Sequence, residues 1–577
     1  MALFAPSESP AVIIKEIDLT GGVPNVQTTT GVFVGDFNWG PVDKPTLVDN
    51  EATLVSKFTT PDTTNNIDFH VANSFLTYSS SLYVIRAVDS NAVNSYDTGA
   101  GTSAPTIRER DHFDTQFAAL DSDGHTFIAK YPGTLGNNIS VQMCPYDSAD
   151  AIFDAWTYAS SFDAAPTTST YTSNLNASND EVHVVVIDED GGITGTRGSV
   201  LETFPYLSLA SDAKNTDGST NYVIDVLNKR SNYVWSVGFD SDYTVGNAGT
   251  AVTNGKNYKL AAAATKSVSL ASGANVTALS TSNYNTAYNL VSDPDTYQVD
   301  FLIAPALPAS IANADAIVEN LITLAGVTRK DCIVVASPPK DDVIDTITPI
   351  DDTTTFVNGL APSSYTFFDN QQIKVFDKFN DEFIWIPACG ATAGLIAKSD
   401  RDTAPWFSPA GTTRGVYNNV VALAYNPTKL QRDTLYKAGI NPITNLPGQG
   451  VTLWGDKTLL RRPSAFDRIN VRRLFITLER AIGRAARNVL FELNDEFTRA
   501  EFVNIVEPVL RDVKGRRGIT DFRVVCDETN NTPAVIDRNE FVANIFIKPA
   551  RSINYVTLNF VATRTGVDFE EVVGRQF

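Results

Sequence analysis

The sequence predicts a multidomain protein of mixed α/β and α+β class: an α/β core, a β-rich inserted domain, and an α+β segment at the C-terminal end. Three observations predict it. A strand–helix–strand pattern occupies residues 299–336. The stretch before it, residues 89–293, is rich in Ser, Thr, Asn, Asp and Tyr and carries short strand patterns. The chain after residue 450 holds a long amphipathic helix, a shorter one and three further strand signals. At 577 residues the whole is too long for one core.

Residues Ala11 to Leu19 (AVIIKEIDL) are apolar and β-branched and precede Gly21, Gly22 and Pro24, the pattern of a lone strand and a loop. Such a strand needs a partner in its own sheet or a neighbour's. Gly31 to Gly35 (GVFVG) and Leu82 to Val88 (LYVIRAV) read as buried strands flanking a helix from Phe69 to Tyr78. In the polar stretch, Val182 to Ile187 (VHVVVI) is a strand running to Asp190-Gly191, a hairpin-turn signal. The α/β pattern resumes with the strand Val299 to Ile303. A helix from Ile311 to Leu324 follows, with Ile311, Ala314, Val318, Leu321 and Ile322 on one face, then the strand Cys332 to Ala336. That spacing suits a parallel crossover, and the early strands, which lack a domain of their own, pair with it. Residues 24–88 with 294–450 therefore form an α/β domain into which 89–293 is inserted, with 1–23 before it and 451–577 after it. The last contains strand signals at Phe522 to Cys526, Phe541 to Ile547 and Tyr555 to Ala562.

The formal charge of −21 argues against nucleic acid as a partner, since phosphate binding needs surplus Lys and Arg. The charge is uneven: residues 451–577 carry 20 Lys+Arg against 17 Asp+Glu, a net of +3, which leaves −24 on residues 1–450. Cys144, Cys332, Cys389 and Cys526 lie far apart without metal or redox spacing, as buried free thiols in a reducing cytoplasm would. The start MALFAPSESP lacks the pattern of a signal peptide, and the apolar run Phe301 to Ala309 is too short to span a bilayer. No membrane insertion is expected.

The stretch from Asp467 to Leu493 is the most informative. Val471, Leu474, Leu478, Ile482, Ala485, Val489 and Leu493 follow helical spacing, with Ser464 and Asp467 placed as a capping pair. At about 100° per residue, Arg473, Arg480, Arg484 and Arg487 fall within roughly 60° of one another, opposite the apolar stripe. A solvated face explains most such stripes. In an otherwise acidic chain, a basic ridge aimed at an acidic partner is an equal reading.

The same region carries a family resemblance. SAFDRINVRRLF (Ser464 to Phe475), FELNDEFTR (Phe491 to Arg499) and the run from Val524 to Gly566 resemble the tail-sheath proteins of contractile-tailed, myovirus-type bacteriophages. GDKT at Gly455, WFSPAGTTRG at Trp406, DCIVVASPP at Asp331, YPGTLGNN at Tyr131 and FNWGP at Phe37 follow the same order. The resemblance implies a virion structural subunit, assembled in the host cytoplasm and polymerising helically, in stacked rings, around a tail tube. Contraction would drive the tube through the host envelope during genome delivery. It implies self-association through terminal arms that add strands to neighbours' sheets, with Val12, Ile13, Ile14 and Ile17 at one end and Val567, Phe569, Val572 and Val573 at the other. It also implies that 1–23 and 451–577 build one inner α+β domain lying on the tube, with 24–88 and 294–450 as the middle domain and 89–293 outermost. It adds tail tube, baseplate and tail terminator proteins as partners and makes the arginine helix the tube-facing surface.

Enzyme motifs are weak. No phosphate loop, HExxH or GxSxG elbow occurs, so no nucleotide motor, cofactor or metal is expected. Asp121-Ser-Asp123-Gly124 and Asp188-Glu-Asp190-Gly191 resemble the start of calcium loops but lack the closing bidentate Glu, and Asp-Gly turns explain them. His70, His112, His125 and His183 are scattered, and Glu570 and Glu571 sit in a tail rather than a cleft. The alternatives are the sheath of a bacterial contractile injection particle, a glycan-binding tail adhesin acting through the insertion, and a carbohydrate-active enzyme using dispersed carboxylates.

Overall fold

The computed structural model describes residues 29–553 except 90, 98–102, 240–246, 261–263, 276–278 and 308–312. The chain forms two compact units, Met1–Asn488 and Val489–Phe577.

The first unit is built on a six-stranded sheet in the order Thr366–Phe368, Ile333–Ala336, Phe301–Ile303, Gly31–Gly35, Leu82–Arg86, Thr46–Val48. Neighbours run parallel except the last strand, which is antiparallel to Leu82–Arg86. Parallel strands are buried on both faces, which is why these segments read as unbroken apolar runs. Phe33, Val84, Phe301, Ile303, Val335 and Phe367 belong to the core on one face. Val32, Val34, Ile85, Leu302, Val334 and Phe368 belong to that on the other. The Asn66–Leu76 and Cys389–Asp402 helices contribute to the first core, and the Thr281–Asn289, Asp315–Thr323 and Pro349–Gly359 helices to the second.

The segment between Arg86 and Phe301 leaves this sheet and returns to it. It carries a four-stranded antiparallel sheet (Lys266–Ser269, Ile139–Pro145, Glu181–Asp188, Ser199–Ser208) and a three-stranded one (Asn94–Tyr96, Phe127–Pro132, Val234–Ser236). Arg86 marks the crossing point. Its fully buried guanidinium donates to the carbonyls of Phe37 (2.6 Å) and Gly40 (3.3 Å) on one side and of Pro132 (2.8 Å) in the insertion on the other. Burial pulls its pKa down to about 10, against the attraction of Asp36.

Several elements differ from the sequence reading. The long helix spans Ile469–Arg487, and Ser464 caps the short 3-10 turn Ala465–Asp467 ahead of it by accepting from the Phe466 amide. The helix expected from Ile311 is Asp315–Thr323, continued by a π-helical turn, Leu324–Arg329. Glu181–Asp188 and Ser199–Ser208 do pair, but through a longer loop than an Asp-Gly hairpin. The Asp188 carboxylate organises that loop, accepting from the amides of Ile193 (3.0 Å) and Thr194 (2.6 Å). Residues 451–488, assigned from sequence to the inner domain, belong to the first compact unit. Ile469 and Ile476 enter the core beneath the sheet.

In the second unit, Asp495 caps the Glu496–Gly515 helix by accepting from the Thr498 amide at 2.9 Å. The helix buries Phe502, Val506, Leu510 and Val513. An antiparallel pair, Ile519–Val525 with Asn544–Pro549, makes its two-stranded sheet. Buried Asn531 stitches the intervening loop, accepting from the Val542 amide (2.9 Å) and donating to the Val542 carbonyl (2.8 Å). The arm residues Val12, Ile13, Ile14, Ile17, Val567, Phe569, Val572 and Val573, and the strand signal at 555–562, lie outside the described residues.

Two helices cross closely where Gly390 and Gly394 face the Asn66–Leu76 helix and its end. A Cβ on Gly390 would sit 2.3 Å from the Val71 carbonyl oxygen, and one on Gly394 2.8 Å from the Tyr78 ring. Backbone cannot yield as a side-chain tip does, so Gly390→Ala is expected to destabilise the first unit by about 1–3 kcal/mol. Thermal or denaturant unfolding of the variant beside wild type measures it.

Candidate assembly surface

The Ile469–Arg487 helix carries the expected basic residues. In its first half Ile469, Val471, Leu474, Ile476 and Leu478 are buried together with Arg472 and Arg473, so the helix is enclosed on several sides there. Exposure begins at Glu479 and recurs at Gly483 and Arg487.

The four arginines do share a face, but the first two of that face turn inward. Arg473 is 5% exposed, forms an ion pair with Asp400, and lies 4.8 Å from the centre of the Phe301 ring. Arg480 pairs with Asp300 at 2.5 Å and donates to the backbone carbonyls of Val299 (2.9 Å) and Asp331 (2.7 Å). Burial works against its charge, yet the Asp300 carboxylate outweighs that and raises the guanidinium pKa. Arg484 donates to the Gln298 amide oxygen at 2.9 Å. Arg487 pairs with Asp295 at 2.7 Å, both side chains being more than two-thirds exposed. The stripe is therefore a graded ladder running from buried rungs to solvated ones. Arg473 and Arg480 are corrected from exposed ridge residues to interior fasteners. Arg484 and Arg487 are the rungs nearest solvent.

Asp300, Val299, Gln298 and Asp295, which receive Arg480, Arg484 and Arg487, lie on a strap, residues 293–300, that leads into the Phe301–Ile303 strand; Arg473 is held instead by Asp400. Arg329, also buried, grips the strap from its other side through the Tyr297 carbonyl (2.6 Å) while holding Asp331 (2.9 Å). Sequence reasoning missed Asp300, Asp331 and Asp400 as partners. One signal was available: Asp300 opens a strand of otherwise apolar residues, where a carboxylate needs a cation. It also missed Arg472, whose guanidinium lies between the rings of Tyr365 (4.2 Å) and Phe466 (4.0 Å).

Glu570 and Glu571 lie outside the described residues, and the four histidines weighed as ligands are each engaged by neighbouring groups, His112 by the Arg108 amide and Gln116. His125 sits between Asp97 (3.3 Å) and Asp123 (3.2 Å). His183 accepts from the Tyr206 amide and donates to the Ala164 carbonyl, and its burial lowers its pKa. His70 meets Asp377 at 3.1 Å. Asp121 to Gly124 end the Arg110–Asp123 helix, with Gly124 left-handed at φ 89°. Cys144, Cys332 and Cys389 are buried free thiols, and burial pushes the first two up to about 12. Among the described residues no group of acidic, His or Cys side chains is arranged to hold a metal ion.

Open α/β sheets bind ligands beyond the carboxyl ends of their strands. Here that edge is filled by the protein's own polar residues. Asp369, which follows the Thr366–Phe368 strand, is fully buried and accepts from Ser337 (2.8 Å), the Gln371 amide (3.1 Å) and Thr392 (3.0 Å). Asn370, Gln371 and Asn441 around it are equally buried. Burial, only partly offset by these hydrogen bonds, pushes the Asp369 carboxyl up to about 7.

Two family models match the chain: a phage tail sheath protein central domain over residues 274–459, and a phage tail sheath C-terminal domain over residues 461–563. The chain is 32% identical to the tail sheath protein of Enterobacteria phage T4, over 98% of this chain and 99% of that one. To the tail sheath protein of Vibrio phage KVP40 it is 30% identical over the same shares. In fold it is similar to the crystal structure of a sheath tail protein from Listeria innocua (TM-score 0.53, 12% identity), over 91% of this chain and 92% of that one.

Two predictions follow the geometry. Arg480→Met strands the Asp300 carboxylate inside the protein and is expected to cost about 3–5 kcal/mol. Arg487→Met removes only a solvated pair and should cost less than about 1 kcal/mol. Urea unfolding of both variants separates the rungs. For Asp369, folding raises the pKa from an ordinary 3.8 to about 7, so the folded chain holds the proton more tightly. Its contribution is full below pH 4 and is lost as pH rises through 7, at most about 4 kcal/mol. Asp369→Asn should therefore gain on wild type in melting temperature between pH 5 and pH 8, as calorimetry at both values would show.

Proposed function

The chain belongs to the phage tail sheath protein family, and from that premise we propose how its two units build a contractile tail sheath. A sheath subunit is a structural protein of the virion, and the relatives lend no support to a glycan-binding adhesin. The observation that carries the assembly reading is the small sheet of the second unit. Ile519–Val525 and Asn544–Pro549 pair only with each other among the described residues, so no described strand covers the outer edge of either. A two-stranded sheet is marginal alone, and open edges accept further strands.

The β-branched segment around Val12, Ile13, Ile14 and Ile17 and the tail from Val567 to Val573 are, by sequence pattern, the segments that add to such edges, each reaching a neighbouring copy. Main-chain hydrogen bonds made this way do not demand a rigid docking angle. Copies so joined stay linked while their bodies turn and slide during contraction. Self-association then gives stacked rings around a tail tube, bounded by baseplate and tail terminator proteins and put together in the host cytoplasm. The inserted sheets lie outward.

The C-terminal end of the Ile469–Arg487 helix faces the tube in this reading. Arg484 and Arg487 contact it through individually weak, salt-sensitive pairs, because their present partners are a neutral amide and a solvated carboxylate. Arg473 and Arg480 take no part.

Replacing Ile13 and Ile17 together by Asp tests the arm. Tubes seen by negative-stain electron microscopy for wild type should be lost, with the melting temperature of the dispersed chain unchanged. Normal tubes from the double variant would sink the arm reading.

A further inference from the structure

Exposed apolar side chains on folded surfaces are mostly scattered singly. Two places among the described residues depart from that. The first is the turn that opens the second unit. Within residues 490–497, Leu490 is 61% exposed, Phe491 104%, Leu493 77% and Phe497 85%. Phe491 also has φ +70°, a left-handed backbone that a bulky residue adopts only at a cost. Glu492 is exposed within the same turn, and no ion pair engages it among the described residues.

The second place is the outer face of the sheet formed by Gln372–Asp377 and Glu382–Pro387. Phe376 (47% exposed) lies opposite Phe383 (54% exposed), with ring centres 5.2 Å apart. Lys374 lies opposite Trp385 on the same face, its ammonium 5.5 Å from that ring and 5.7 Å from the ring of Phe383. No ion pair engages Lys374 among the described residues.

We propose that the 490–497 turn of one copy docks on the Phe376–Phe383 face of a neighbouring copy, with Glu492 meeting Lys374. One patch is apolar and acidic, the other apolar and basic, so they complement each other in charge as well as in hydrophobicity. They are also different surfaces of one chain. A contact between unlike patches is heterologous, and unless it closes into a ring it propagates as a helix, the symmetry a sheath requires. The patches are small beside the roughly 1,600 Å² of a stable two-protein interface. The contact thus holds in the polymer, where other contacts support it, and not in a free dimer. The inference rests on the sheath reading but adds a contact separate from the terminal arms.

Charge exchange in the full-length chain tests it. Lys374→Glu and Glu492→Lys should each raise the concentration needed for tube growth by up to about five-fold, the effect of a pair worth roughly 1 kcal/mol. The combined variant should restore the wild-type threshold. In parallel, Phe383→Cys with Phe491→Cys should give disulfide-linked ladders on oxidation of tubes and none from dispersed chains. Failure of the double exchange to restore assembly, or tubes without ladders, overturns the proposal. Cross-linking of the Phe491→Cys variant to a tail tube protein would overturn it too, by assigning the turn to the tube. Wild-type chains that form no tubes would sink the sheath reading itself, and this contact with it.

Discussion

A guanidinium leaves water only where a carboxylate or several carbonyls wait for it, and the first unit is fastened by that rule. The Ile469–Arg487 helix could not lie against the sheet with Arg473 and Arg480 inside unless Asp400 and Asp300 were already placed to receive them. Those acids stand on separate elements: Asp400 in the Cys389–Asp402 helix, and Asp300 at the mouth of the Phe301–Ile303 strand. The helix therefore binds together parts of the chain far apart in sequence. Arg86 does the same work at the entrance to the insertion, where carbonyls of both domains converge on one buried cation.

How much of this was legible in the sequence depends on how local each cause is. Strands at Gly31–Gly35, Leu82–Arg86, Phe301–Ile303 and Ile333–Ala336 were readable because burial on both faces leaves an unbroken apolar run. Their return to one sheet across the long polar stretch was readable because neither half could make a sheet alone. The arginine stripe was readable only in part. Helical periodicity places Arg473, Arg480, Arg484 and Arg487 on one face, but it cannot say what that face meets. The apolar stripe suggested a single buried side, whereas the first half of the helix is enclosed almost all round, arginines included. The buried polar network around Asp369 was illegible for the same reason: Ser337, Thr392 and Asn441 reach it from three distant segments.

The family boundary and the physical boundary of the C-terminal region do not coincide, and the difference is informative. The C-terminal family domain begins at residue 461, while the second compact unit begins at Val489. Residues 461–488 are thus shared in descent with the C-terminal domain but packed with the body. Likewise the insertion, thin in recognisable motifs, is no private addition: the T4 and KVP40 relatives align over 98% of the chain.

The gradation of the ladder then has a mechanical meaning. Charge pairs exchange partners readily only where water can take over as they separate, since a buried ion left alone carries a desolvation penalty of several kcal/mol. Arg473 with Asp400 and Arg480 with Asp300 are locked by that penalty and keep the root of the helix in the body. Arg484 and Arg487 meet a neutral amide, Gln298, and a solvated carboxylate, Asp295, and no comparable penalty locks them. A contractile subunit needs both behaviours in one chain: a body that stays whole and surface contacts that let go. Within this helix the buried pairs come first and the solvated one, Arg487 with Asp295, comes last.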